Sequence, residues 1–192
     1  MRKALLSAAL AATYFAMPAS SFADPNVFFK MVPSSATCLP NANARVTIST
    51  HDGLQYMHVE TFGLPPSNGF DFFVIQVPKA PFGMSWYQGD IKTDSHGFGI
   101  ADFVGVFSNE TFIVAPGIAP APLIFPTDAA SNPATPPVQM YHLGLWFDSP
   151  AEAVAAGCGN ATTPFNGTHN AGVQVLNTSN FPDLHGPLLS VF

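Results

Sequence analysis

Charge is scarce in this sequence: Asp, Glu, Lys and Arg make up 9% of its 192 residues, against roughly 25% in an average domain. Basic residues are the scarcest. After Arg2 and Lys3 only Lys30, Arg45, Lys79 and Lys92 remain, facing all 12 acidic residues, so from residue 24 onward the formal charge is −8. Nucleic acid and anionic lipid both require clustered Lys and Arg, and neither is expected as a partner. No apolar run is long enough for a membrane span, which takes roughly 20 residues. Motifs of catalysis are missing too. The metalloprotease helix motif is absent, and no glycine loop for a cofactor is present. Gly83-Met84-Ser85-Trp86-Tyr87 begins like a nucleophile elbow but lacks the second glycine. His58-Val59-Glu60 begins like a zinc-deaminase signature, but the paired cysteines that signature requires are missing. No cofactor is expected, and no motif demands an enzyme.

The N-terminus carries a transport signal. Arg2 and Lys3 precede an uncharged apolar run from Ala4 to Ala16, Pro18 breaks it, and Ser21-Phe22-Ala23 places small residues where a signal peptidase reads. Residues 1–23 are therefore expected to be a cleaved signal peptide of bacterial type. No Cys follows for lipid attachment and no twin-Arg pair is present. The expected product is a secreted or periplasmic protein, extracytoplasmic and without a stable membrane anchor, whose residues 24–192 form a single domain. Cys38 and Cys158 would then meet an oxidising compartment with no other thiol available. They are expected to pair, closing a loop of roughly 120 residues. Sequons occur at Asn109, Asn160, Asn166 and Asn177, and carry little meaning in a bacterial host.

Eighteen Phe and 19 Pro set the rest of the chain apart; Phe suits pleated surfaces and Pro interrupts helices and ends strands. Residues 44–50 and 54–62 alternate apolar and polar around Asp52-Gly53, the pattern of a hairpin. Phe70 to Val77 is a dense apolar run fitting a central strand stopped by Pro78. Further strands are expected at 88–93 and 98–107, joined by Asp94-Ser95-His96-Gly97, and at 111–115, 139–147 and 171–177. Residues 116–137 are Pro-rich and read as a surface loop. The one convincing helix lies near 149–156, where Asp148 or Ser149 can cap and Pro150 suits the first turn. Many short strands and one helix predict an all-β fold, a two-sheet antiparallel sandwich of immunoglobulin-like or jelly-roll-like type.

Gly63-Leu64-Pro65-Pro66 followed by Gly69-Phe70-Asp71-Phe72 resembles the loop that precedes a core strand in immunoglobulin-like sandwich domains. Residues 70–78, 80–90 (Ala-Pro-Phe-Gly-Met-Ser-Trp-Tyr-Gln-Gly-Asp) and 141–147 (Tyr-His-Leu-Gly-Leu-Trp-Phe) are similar to a group of exported bacterial proteins of unassigned function. That resemblance implies export and one compact domain, and it carries over no site residues.

The most suggestive surface is Pro81 to Asp90. Phe82, Trp86 and Tyr87 beside Gln88 and Asp90 offer the aromatic faces and polar edges on which sugar rings and peptides stack. The bland reading puts Trp86 in the core, and Trp146 in an apolar strand still more so. An exported, non-enzymatic binding or surface-interaction module with a glycan or protein ligand is the leading expectation. A secreted hydrolase assembled from dispersed Ser, His and Asp is the alternative, signalled by His58 or His142 beside a carboxylate in a concave pocket. A weak metal protein is third. His51, His58 and His142 with Met57 and Met140 are the copper candidates, and Asp90, Asp94 and Asp102 the calcium candidates. Ordinary core and turn roles for these residues leave no metal site as the expectation.

Overall fold

A computed structural model describes residues 26–110, 138–164 and 169–191 of the chain. The signal segment at 1–23, the strand expected at 111–115 and the Pro-rich loop at 116–137 lie outside the described residues. The strands are β1 (Val27–Pro33), β2 (Asn43–His51), β3 (Leu54–Phe62), β4 (Gly69–Ile75), β5 (Ser85–Lys92) and β6 (Gly99–Gly105). They continue with β7 (Asn109–Glu110), β8 (Val138–Gln139), β9 (His142–Phe147), β10 (Thr163–Pro164), β11 (Asn170–Ala171) and β12 (Gln174–Asn177). Helix α1 spans Pro150–Ala155, and a 3-10 turn at Pro187–Ser190 closes the described chain.

The all-β class is as expected, but the strands are not divided into two separate sheets. Eight of them form one antiparallel order, β5-β4-β9-β12-β1-β2-β3-β6. The hinge is β1, which pairs with β2 through Val27–Met31 and then with β12 through Val32 and Pro33. One strand thereby serves both halves. At the far edges, β5 and β6 are joined by a tight turn bridged at Thr93 and Gly99, so the sheet curls until it nearly closes. Asp94 builds that turn: its Oδ1 accepts from the amides of His96 at 2.7 Å and Phe98 at 3.0 Å. Those amides hold its carboxyl below the ordinary carboxylate range. Gly97 is required there, since a Cβ would sit 2.0 Å from the carbonyl oxygen of Leu64.

Period-two alternation drives the burial. On β2, Ala44, Val46 and Ile48 point inward; on β3, Met57 and Val59 meet them. Phe70, Phe72 and Val74 of β4 and Leu143, Leu145 and Phe147 of β9 supply the opposing wall. Phe72 stacks on Phe103 of β6 with centroids 5.2 Å apart, drawing the open seam together. Gly89 leaves the space, as its Cβ would come within 2.9 Å of the Phe103 ring.

Element ends differ from the sequence reading where side chains interrupt the period. The 139–147 strand is split by Met140 and Tyr141 into β8 and β9, and the 171–177 strand into β11 and β12. The strand expected at 88–93 begins earlier, at Ser85. The sequence reading missed β1. Helix α1 is where it was expected, with Ser149 as its N-cap: its Oγ accepts from the amide of Glu152 at 3.3 Å.

Cys38, in the β1–β2 connection, is bonded to Cys158 just after α1, with the Cα atoms 4.8 Å apart. The bond closes a separation of 120 residues and ties the helix end to the first connection of the sheet. On the loop-entropy estimate, Cys38→Ala with Cys158→Ala should lower the unfolding free energy by about 4–5 kcal/mol. The denaturant midpoint checks this, and reduction of the unaltered protein should reproduce the loss.

Candidate functional site

In the described chain the outer face of the β5-β4-β9-β12 wall carries the richest chemistry. Directly opposed residues in an antiparallel pair share a face. Asp71, Phe73 and Ile75 of β4 therefore share the outer face with Asp90, Tyr87 and Ser85 of β5 and, at Asp71, with Trp146 of β9. Trp146 is buried, but in a satellite cluster on this outer face with Ile75 and Ala171, not in the main core. Phe73 and Phe82 meet its indole edge-on, with centroids 5.2 and 5.0 Å away. Gly144 lies beneath the ring, where a Cβ would fall 2.3 Å from it. Phe73, Phe82, Ser85, Trp146, Pro164 and Ala171 line a depression of about 130 Å³. Pockets for whole small molecules run to roughly 300 Å³ or more, so this one suits the edge of a ring or one side chain.

The five candidates from the sequence reading occupy a strand and its lead-in instead of a loop, and they do not share one surface. Tyr87 and Asp90 lie on the outer face, where the Tyr87 hydroxyl donates to Asp90 Oδ1. Burial first, then that hydrogen bond and the nearby carboxylates, push the Tyr87 hydroxyl pKa up. Trp86, opposite Val74, faces the other way. It is 45% exposed, so the placement of Trp86 in the core is overturned. Gln88 is the extra residue of a bulge between Tyr87 and Gly89, and its amide nitrogen is buried without a hydrogen bond. Phe82 is half-buried against Trp146.

The proposed metal sets do not assemble. Met57 and Met140 are in the core, as the bland reading had it. His58 faces the other side of β3, and His51 lies exposed at the hairpin end beside Tyr56. His142 is fully buried and saturated. Its Nε2–H donates to the carbonyl of Asp183 at 2.8 Å, and Nδ1 accepts from the Thr178 hydroxyl at 2.8 Å. A carbonyl can only accept, which fixes the neutral tautomer, and burial holds the pKa below the ordinary histidine value. Of the calcium set, Asp90 holds Tyr87, Asp94 holds the turn, and Asp102 accepts from His58 Nδ1–H at 2.6 Å.

A different group does converge. Among the described residues, Asp71, Asp148 and His169 are the one set whose ligating atoms all lie close enough to share a metal ion, within 4.8 Å of one another. His169 Nε2 is 3.3 Å from Asp148 Oδ1 and 3.5 Å from Asp71 Oδ1. Asp71 has no exposed surface, and neither of its carboxylate oxygens has a hydrogen bond. The sequence reading passed over all three in these roles. The available signal was Asp71 itself, an acid in the middle of Phe-Asp-Phe-Phe, where nothing but a site or an error of strand assignment places a charge. Of the two alternative helix caps, Asp148 and Ser149, it is Ser149 that fills the role.

No protein-family profile matches the chain, and no curated protein is significantly similar to it.

Burial first, then the charge of Asp148, pushes the Asp71 pKa up to about 6 from 3.8, while His169 pulls the other way. A carboxyl whose native pKa is raised binds its proton more tightly folded than unfolded. Its ionisation therefore costs stability progressively as pH rises from 3.8 to about 6, and the full cost is present above that. In metal-free protein at pH 7.5, Asp71→Asn should be more stable than the unaltered chain by roughly 1–3 kcal/mol and melt at a higher temperature, with no gain near pH 4. Paired melting curves at the two pH values decide it.

Proposed function

We propose that this is an exported, non-enzymatic binding module whose ligand-facing surface is the outer wall of β5, β4 and β9. Export rests on the N-terminal signal pattern, and the Cys38–Cys158 bond is consistent with an oxidising compartment. No helix among the described residues is long and apolar enough to cross a membrane. The curled sheet serves as a rigid sandwich-like support. The observation that carries the reading is the aromatic wall itself: Tyr87, 39% exposed, sits against Phe73 and beside the depression that Phe82 and Trp146 frame, with Asp90 at its edge. An aromatic surface with an adjacent carboxylate suits the face and hydroxyls of a sugar ring, or the side chains of a protein partner.

A panel of bacterial cell-envelope oligosaccharides, read by thermal shift and titration calorimetry, tests this. Tyr87→Ala and Phe82→Ala should each weaken the best glycan about tenfold or more. Trp86→Ala, on the other side of the strand, should leave its affinity within about twofold. Equal binding by all three variants would remove the wall from the proposal; no glycan binding at all would leave a protein partner as its ligand.

A second reading, a hydrolase, draws on the His58–Asp102 pair. It lies on the outer face of β3 and β6 in a shallow depression of about 340 Å³ that also contains Thr47, Ser49 and Tyr56. An imidazole oriented by a carboxylate is two-thirds of a nucleophilic triad. Among the described residues the remaining nitrogen of His58 has no hydrogen bond to a hydroxyl, so the pair lacks its nucleophile. A fluorophosphonate probe should leave the protein unlabelled. Labelling abolished by both Ser49→Ala and His58→Gln would instead establish the hydrolase.

A further inference from the structure

We infer that Asp71, Asp148 and His169 form a binding site for a zinc-class divalent cation on the outer wall of the sheet. The three come from separate elements: β4, the residue after β9, and the segment entering β11. Nothing in the local sequence links them, yet their ligating atoms gather within 4.8 Å of one another. Two donors bonded to one tetrahedral ion at about 2.1 Å stand about 3.4 Å apart. The separations of His169 Nε2 from Asp148 Oδ1 and Asp71 Oδ1, 3.3 and 3.5 Å, match that spacing.

The state of Asp71 points to a ligand independently of the clustering. Its side chain is fully buried, both oxygens lack a hydrogen bond among the described residues, and Oδ1 is directed at His169. A buried carboxylate ordinarily takes several N–H or O–H donors. A 3.5 Å approach by one imidazole is an ion-pair distance, short of a full hydrogen bond. Asp90, directly across the strand pair, adds negative charge to the same face. A cation is what this arrangement is short of. The fold also keeps room for Asp148: a Cβ on Gly69 would come within 2.9 Å of its Oδ2.

The donor set selects the class of ion. Calcium takes six to eight oxygen ligands and magnesium keeps most of its water, whereas an imidazole with carboxylates suits zinc and its neighbours. Three protein ligands leave a fourth position open to water or to a donor atom of a ligand, as in zinc sites that act on or bind other molecules. The inference does not depend on the aromatic wall binding a glycan, since a cation can be detected with no other ligand present.

The purified protein, stripped with chelator, would be titrated with Co²⁺ and separately melted with Zn²⁺. One equivalent of Co²⁺ should give the visible absorption of a low-coordinate site. Zn²⁺ at 100 times its Kd should raise the melting temperature by roughly 5–10 °C. Asp148→Asn and His169→Ala should each weaken Co²⁺ at least tenfold. Asp71→Asn guards against a folding artefact: it should be at least as stable as the unaltered protein without metal, yet give no Zn²⁺-induced rise. Absence of both signals in the unaltered protein would overturn the site. A response to Ca²⁺ in place of Zn²⁺ would overturn the assignment of ion. A Zn²⁺ response that survives all three substitutions would place the metal on the exposed histidines His51, His96 or His185 and overturn the site as well.

Discussion

Strand β1 has to satisfy two neighbours with one backbone. Its first five residues pair with β2, and its last two with β12. Without that change of partner, β2-β3-β6 and β5-β4-β9-β12 would each present an unpaired edge on this side of the molecule. With it, the inner faces of the two groups are set opposite each other and the phenylalanines of β4 and β9 meet the aliphatic residues of β2 and β3. The seam on the opposite side then needs only a tight turn and one aromatic stack, Phe72 on Phe103, to draw in the remaining edges. The disulfide acts at the same corner, since Cys38 lies in the connection that leaves β1.

Because the main core is filled from one side of β4 and β9, the other side of those strands is available for chemistry, and it is unusually well covered. All six residues of β9 are buried. Covering both faces of a strand costs solvation for any polar group on it. His142 meets that cost with two hydrogen bonds; Asp71, four positions along on the neighbouring strand, meets it with none among the described residues. The contrast separates a structural polar residue from a functional one. Thr178 and Asp183 exist around His142 as partners, whereas around Asp71 stand Asp148, His169 and Asp90, two of them carboxylates like itself.

Much of the scaffold was legible because its causes are local. Period-two alternation in 44–50 and 54–62, the Asp94–Gly97 turn and the Ser149-Pro150 helix start each depend on neighbours in sequence, and each is found in place. The disulfide was legible by elimination, two thiols having only each other. Sheet order was not, because the exchange of partners by β1 is a long-range event that leaves no mark on Val27–Pro33 beyond an ordinary strand pattern. The candidate surface at 81–90 was legible only in part, for a related reason: a bulge at Gln88 shifts the alternation, so spacing alone does not say that Tyr87 and Asp90 share a face and Trp86 does not. The acidic and histidine group was illegible as a group, being assembled from residues 71, 148 and 169 across three elements. Asp71 alone was visible, as an acid misplaced in an apolar run.

That misplacement bears on why the fold is built as it is. A valine or threonine at position 71 would suit a covered strand and would leave Trp146, Phe73 and Ile75 packed as they are. Ionised aspartate there opposes folding by roughly 1–3 kcal/mol, a sizeable share of the 5–15 kcal/mol that holds a typical domain together. A single long-loop disulfide more than offsets that, at about 4–5 kcal/mol. It does so without touching the outer wall, since Cys38 and Cys158 pack with the inner core. A chain with so few charges, placing one of them where solvent cannot reach it, is coherent if the charge has a partner that arrives from solution. It is hard to account for on stability alone.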